Sequence, residues 1–169
     1  DDLINCHLLA FLKRAQSETD ADIVYCGALR FSDDVPDVFA SDSYENHEIR
    51  VYDQEYAMTN AFGIAYTPTV WAEIIRKSLF DDLHFPDAKR AEDLWISYHL
   101  LNRCRKVAHF KSFAAYYYRI TPGSAMTKIT ARHIEDDMKM RLDIFQTMFA
   151  GRYAVAAQKL ARQTKRIFL

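Results

Sequence analysis

The chain has 169 residues, half of them hydrophobic and 27% charged, with a net charge of -1. That is the size and make-up of one soluble globular domain with a real core, and the missing basic surplus argues against a nucleic-acid reader. Four glycines and four prolines exclude low complexity, and no GxGxxG or GxxxxGK[ST] phosphate loop occurs.

The chain opens on Asp1-Asp2 with no Met, as expected of a piece cut from something longer. Residues 3–15 (LINCHLLAFLKRA) carry apolar side chains at helical spacing, and residues 22–31 (DIVYCGALRF) are rich in β-branched and aromatic types. A helix followed by a strand is predicted, half of a βαβ crossover whose first strand would precede residue 1. Residues 32–55 set eight carboxylates, from Asp33 to Glu55, against the single Arg50, and read as a long surface loop or subdomain.

A short helix is predicted over 54–62 and a strand over 69–76 (TVWAEIIR). Residues 92–104 repeat Leu94, Tyr98 and Leu101 on one helical face. Strands are predicted at 106–110 and 113–119, a Thr-Pro-Gly-Ser turn at 121–124, a helix from Thr130, and a second helical stretch after Gly151. That last stretch holds Arg152, Lys159, Arg162, Lys165 and Arg166 without an acidic residue. Two readings stand for 152–169: a packed helix with a solvated basic face, or peripheral contact with an anionic membrane surface.

Cys6, Cys26 and Cys104 are odd in number and widely spaced, so reduced thiols are expected, not a disulfide framework. No apolar run approaches the roughly 18–20 residues that cross a bilayer, and DDLINC does not read as a signal peptide. A cytoplasmic location is the expectation, with membrane contact only at the inner face. The six histidines show no HxH or HExxH spacing and read as structural.

Glu92-Asp93 is ambiguous by itself, because carboxylates in a helix's first turn are favoured by the helix dipole, and acidic pairs recur at 1–2, 33–34 and 81–82. Its surroundings are more specific. Trp71 and IIRKSLF precede it, Phe85-Pro86 stands shortly upstream, and Tyr116–Arg119 (YYYR) and Pro122–Ser124 (PGS) follow. In this order the set resembles the second half of family 2 glycosyltransferases, bacterial GT-A enzymes that build surface and capsular polysaccharides. Asp1-Asp2-Leu3-Ile4, then a helix and ADIVYCGALRF, looks like the end of that family's D-x-D-D segment and its sequel.

The resemblance covers residues 1 to about 130. It implies an α/β chain with a partial GT-A fold: a mixed sheet flanked by helices over 1–130 and a C-terminal helical pair over 131–169. The missing part would be two or three βα units, roughly 80–100 residues, that bind the base and ribose; alone, this piece is expected to be inactive and to bind no nucleotide-sugar tightly.

The activity it implies is inverting transfer of a sugar from a nucleotide-diphospho-sugar to a hydroxyl of a saccharide or lipid-linked saccharide. On that resemblance Asp93 is the catalytic base and Glu92 its neighbour at the acceptor. Asp1 and Asp2 are the ligands of Mg²⁺ or Mn²⁺, ions that suit hard oxygen donors. Arg119 and Ser124 face the diphosphate and Trp71 the acceptor. Other roles remain open: Asp1-Asp2 as the first helix's cap, Arg119 as a structural ion-pair partner, Trp71 as a core residue. Glu73 stands where Lys is frequent in the family, and Ala88 where Gly is. The competing class is a non-catalytic interaction module on a degenerate GT-A scaffold.

Overall fold

The computed structural model describes residues 2–60, 69–121, 130–150, 153, 157–162 and 164, and the side chains of 149 and 150 are left aside. In chain order the elements are β1 (Leu3–Ile4), α1 (Leu8–Thr19), β2 (Ile23–Phe31), β3 (Ile49–Asp53), α2 (Gln54–Thr59), β4 (Glu73–Ile75), α3 (Glu92–Arg103), β5 (Lys106–Arg119) and α4 (Ala131–Ala150). Short 3-10 turns occupy Tyr44–Asn46 and Lys77–Phe80, and residues 157–162 are helical.

The mixed sheet runs β1-β5-β2-β4, with β3 also on β5. β2 and β5 are parallel; β1, β3 and β4 pair antiparallel. β5 changes partner along its length. Its first half lies between β2 and β3, its second between β2 and β1. Between the pairs Tyr25–His109 and Gly27–Ala114, β2 advances two residues and β5 five, so β5 arches there. Gly27 suits the crossing: a Cβ on it would meet the Ala114 Cβ at 3.4 Å.

Strand alternation divides the core into two layers. Val24, Cys26, Ala108 and Phe110 face α1, whose Leu8, Phe11, Leu12 and Ala15 form the buried stripe. Ile23, Tyr25 and Val107 face α3, with α2 and α4 behind it: Leu94, Ile96, Leu101, Ile144, Met148 and Leu160 are buried there. α4 therefore packs into the same core as the strands.

α3 ends two residues before β5 begins, so it runs back against the parallel pair. Its 12 residues rise about 18 Å, which carries Glu92 towards the carboxyl end of β2, where ligands of open α/β sheets usually bind.

The opposite end is held by Asp22, whose side chain is 3% exposed. Its Oδ1 accepts from Arg76 Nε (2.7 Å) and Arg105 NH2 (3.1 Å), and its Oδ2 accepts the Arg105 backbone N–H (2.7 Å). Its backbone donates to Lys106 and accepts from Arg76. One carboxylate thus joins β2, β4 and β5. Burial by itself would raise the Asp22 carboxyl, but the two guanidiniums and the Arg105 N–H outweigh it and the net shift is downward.

Several sequence expectations need correction. Residues 3–15 are not one helix: Leu3 and Ile4 pair with Tyr117 and Tyr116, Asn5 Oδ1 accepts the His7 N–H, and α1 begins only at Leu8. The first helix's N-cap is His7, so Asp2 does not cap it. The acidic excursion contains β3, whose residues take the open side of β5. Only Glu73–Ile75 of the 69–76 segment forms a strand, and 106–119 is one strand bent at the expected break. Residues 122–129, with the expected turn, lie outside the described residues, as does most of 151–169. Cys26 and Cys104 are buried, Cys6 is exposed, and all three are free.

Asp22→Ala should cost roughly 2 kcal/mol at pH 7, since it removes the charged acceptor of three hydrogen bonds and leaves the Arg105 backbone N–H without that partner. A depressed carboxyl stabilises above its ordinary value and loses that contribution as pH falls through its lower folded value, so the gap to wild type in urea melts should close below pH 3.8. Ser97, fully buried on α3, has a hydroxyl with no hydrogen-bond partner. Ser97→Ala should raise stability by about 1 kcal/mol; a lower melting temperature would contradict that.

Candidate active site

Ala91 turns the chain into α3 with φ 63° and ψ 15°, a left-handed conformation that costs a non-glycine residue about 1 kcal/mol. No side chain caps the helix; Glu92 and Asp93 occupy its first turn, where the dipole favours anions. Both are half-buried, and Asp93 Oδ1 accepts the Leu94 N–H at 2.7 Å. Burial pushes the Asp93 carboxyl above its ordinary value, the Leu94 N–H resists this, and the Glu92 charge adds to it.

The pair opens on a cavity of about 310 Å³. One wall is the run Lys89 to Leu94; the other is His133, Asp137 and Arg141 of α4. The Lys89 N–H donates to Asp136 at 2.8 Å, and Asp143 accepts from Trp95 Nε1, so α4 is tied to the segment that carries the carboxylates. Within α4, Arg141 Nε and NH2 donate to Asp137 Oδ2 and Oδ1 at 2.7 and 3.3 Å.

A second cluster lies at the β1–β5 end of the sheet. Asp2 Oδ2 accepts the Tyr116 hydroxyl at 2.7 Å, and Asp2 Oδ1 accepts the Arg119 backbone N–H at 2.8 Å. Burial and then the Asp2 carboxylate push the Tyr116 phenol upward. Trp71 stacks on Tyr116 (centroids 4.7 Å apart, planes 24° from parallel) and leans on Tyr118 at 5.9 Å. The Arg119 guanidinium sits 4.5 Å from the Phe31 ring centroid, and its NH1 donates to Ser32 O at 3.5 Å.

Of the residues singled out from the sequence, Glu92 and Asp93 share the cavity, while Asp2, Trp71 and Arg119 share the Tyr116 cluster. The cavity lining includes none of the latter three. Trp71 and Tyr116 pack against the α1-side core and Leu94 against the other. Asp1 and Ser124 lie outside the described residues.

Among the described residues, no three His, Cys, Asp or Glu side chains are placed to hold a metal ion. Asp2 fits Mg²⁺ or Mn²⁺ in kind, as a hard oxygen donor, and Mg²⁺ often takes only one or two carboxylates beside substrate phosphates. No described helix is long and apolar enough to cross a membrane.

Sequence reasoning missed the α4 wall. Its signal is present nonetheless: Asp137 and Arg141 share a helical stripe with Met140, Ile144 and Met148, where only apolar side chains would be expected.

No family model and no curated protein matches the chain. Solved structures do. Residues 1–349 of S. aureus TarS, a GT-A family 2 glycosyltransferase, in complex with UDP-GlcNAc superpose with a TM-score of 0.63 at 17% identity, over 86% of this chain and 39% of that one. The same protein with UDP gives 0.59 at 18% identity, over 86% and 37%. TarS in a further structure gives 0.57 at 16% identity, over 88% and 23%. The chain therefore spans well under half the length of the structures it matches, and at this identity the likeness concerns the fold: a GT-A domain.

Proposed function

We propose that the chain is the acceptor-side part of a nucleotide-sugar-dependent glycosyltransferase of the inverting type. The observation that carries this reading is the half-buried, protonation-prone Asp93 beside Glu92 at the head of α3, opening on a cavity lined by charged side chains within a GT-A fold. The UDP-GlcNAc and UDP complexes of TarS support a nucleotide-sugar as donor.

In the proposed reaction an acceptor hydroxyl oxygen forms a bond to the anomeric carbon of the donor. The bond from that carbon to the diphosphate breaks on the opposite face, and the diphosphate leaves with the electron pair. Asp93 takes the hydroxyl proton as the new bond forms; a carboxyl raised above its ordinary value is the stronger base for this. Glu92 orients the acceptor. A bound Mg²⁺ or Mn²⁺ would offset the charge growing on the diphosphate. Asp2 is its described ligand in this reading, with Asp1 beside it, and Arg119 and Ser124 face the phosphates. Trp71 contacts the acceptor in the same reading.

The rest of such an enzyme, with its acceptor, polymer and cellular location, extends beyond the fold match. The polysaccharide-building role, the inner-face location and any membrane contact through 152–169 remain part of the same proposal.

A second reading has one observation in its favour: both Asp2 oxygens already accept hydrogen bonds from β5. On that reading the scaffold is a non-catalytic interaction module.

Asp93→Asn separates the two. In a protein that contains this chain and transfers sugar, the substitution should abolish transfer, read as UDP release coupled to product. The wild-type rate should rise with pH along a limb displaced above that of an ordinary aspartate. Transfer unaffected by Asp93→Asn would remove this residue from the mechanism.

Stability should move the other way. Between 3.8 and the higher folded value, the folded state binds more protons than the unfolded one, so stability falls as pH rises through that window. Asp93→Asn should therefore melt above wild type at pH 7.

A further inference from the structure

The α4 wall of the Asp93 cavity holds an ion pair that stability alone does not explain. Asp137 and Arg141 are 5% and 8% exposed, and a buried pair of this kind is often no better for stability than apolar residues of similar volume. Arg141 spends one N–H on each Asp137 oxygen and one on Thr164 Oγ1 (3.4 Å). A guanidinium has five donors, so two more N–H groups remain on a buried side chain that lines the cavity.

The charges around this space cancel: Lys89, Arg90 and Arg141 stand against Glu92, Asp93 and Asp137. A cavity with that balance repays neither an anionic nor a cationic ligand. It does present fixed donors and acceptors, which suits a ligand that can give and take hydrogen bonds at once. At about 310 Å³ it stands at the small end of ligand sites, roughly 300–1,000 Å³, so it holds one ring-sized unit.

We infer that Asp137 and Arg141 form the acceptor-binding pair of this site, gripping adjacent hydroxyls of a neutral saccharide unit while its reacting hydroxyl faces Asp93. This rests on the glycosyl-transfer reading and names its acceptor class: an uncharged sugar residue, not a uronic acid, an amino sugar with a free amine or a sugar phosphate.

The test uses methyl glucoside, methyl galactoside and methyl N-acetylglucosaminide as probes, with methyl glucuronide and methyl glucosaminide as charged controls. Each is titrated into the 169-residue chain while amide resonances of Lys89–Leu94 are followed by NMR. At least one neutral glycoside should shift these resonances and bind about tenfold tighter than either charged control. The double variant Asp137→Leu/Arg141→Met should melt no lower than wild type and lose that binding by about tenfold or more, the loss expected from removing charge-assisted hydrogen bonds. Equal or tighter binding of a charged glycoside, absence of shifts, or undiminished binding by the double variant would overturn the inference.

A transfer assay with the donor-binding part present keeps the two proposals apart. An acceptor KM that rises in Arg141→Lys by more than kcat falls supports the pair. An unchanged acceptor KM in an active enzyme overturns the pair and leaves the transferase reading intact. Neutral-sugar binding that depends on the pair, in a protein that never transfers, overturns the transferase reading alone.

Discussion

The parallel pairing of β2 with β5 is the constraint from which the rest of the molecule follows. Two parallel neighbours cannot be joined by a tight turn; the chain must travel back along the sheet before it pairs again. That return is α3, and its direction leaves its first turn at the carboxyl end of the pair. Glu92 and Asp93 stand at this mouth because a crossover begins there. Asp22 secures the other end of the same pair, clamping the starts of β2 and β5 and the end of β4 with one buried carboxylate. A local change at Asp22 would thus loosen the base on which the distant Asp93 depends.

The two carboxylates illustrate how surroundings decide chemistry. Asp22 is nearly inaccessible, yet its guanidinium partners keep it charged and depress its proton affinity. Asp93 is less enclosed but has no such partner outweighing its desolvation, so its proton affinity rises. The first arrangement suits a clamp and the second a proton acceptor. Asp93 is held there at some expense to stability, a common condition for a functional group.

The cavity beside Asp93 belongs to two parts of the chain far apart in sequence. Residues 89–91 and the first turn of α3, with its two carboxylates, form one wall; α4 supplies the facing polar wall and is bound to the first part through Asp136 and Asp143. The helix after residue 130 thus shares the core with the sheet and the cavity with the start of α3. The Asp2–Tyr116–Trp71 cluster is separate from this lining and is joined to the sheet through β5.

By itself the sequence determined the elements whose signal is local and periodic. The 92–104 helix is legible because its side chains repeat at the spacing of one buried face, the 22–31 and 113–119 strands because of their β-branched and aromatic content, and the order of Trp71, Glu92-Asp93 and Tyr116–Arg119 pointed to the GT-A fold. Tertiary structure alone decided the rest. Leu3-Ile4 and Ile49–Asp53 become strands because β5 offers them hydrogen-bonding edges, something a two-residue or acid-flanked segment cannot announce. Likewise, the charges of Asp137 and Arg141 become a cavity wall only when α4 folds onto α3, since burial and pairing are properties of the packed chain and not of a helix read alone.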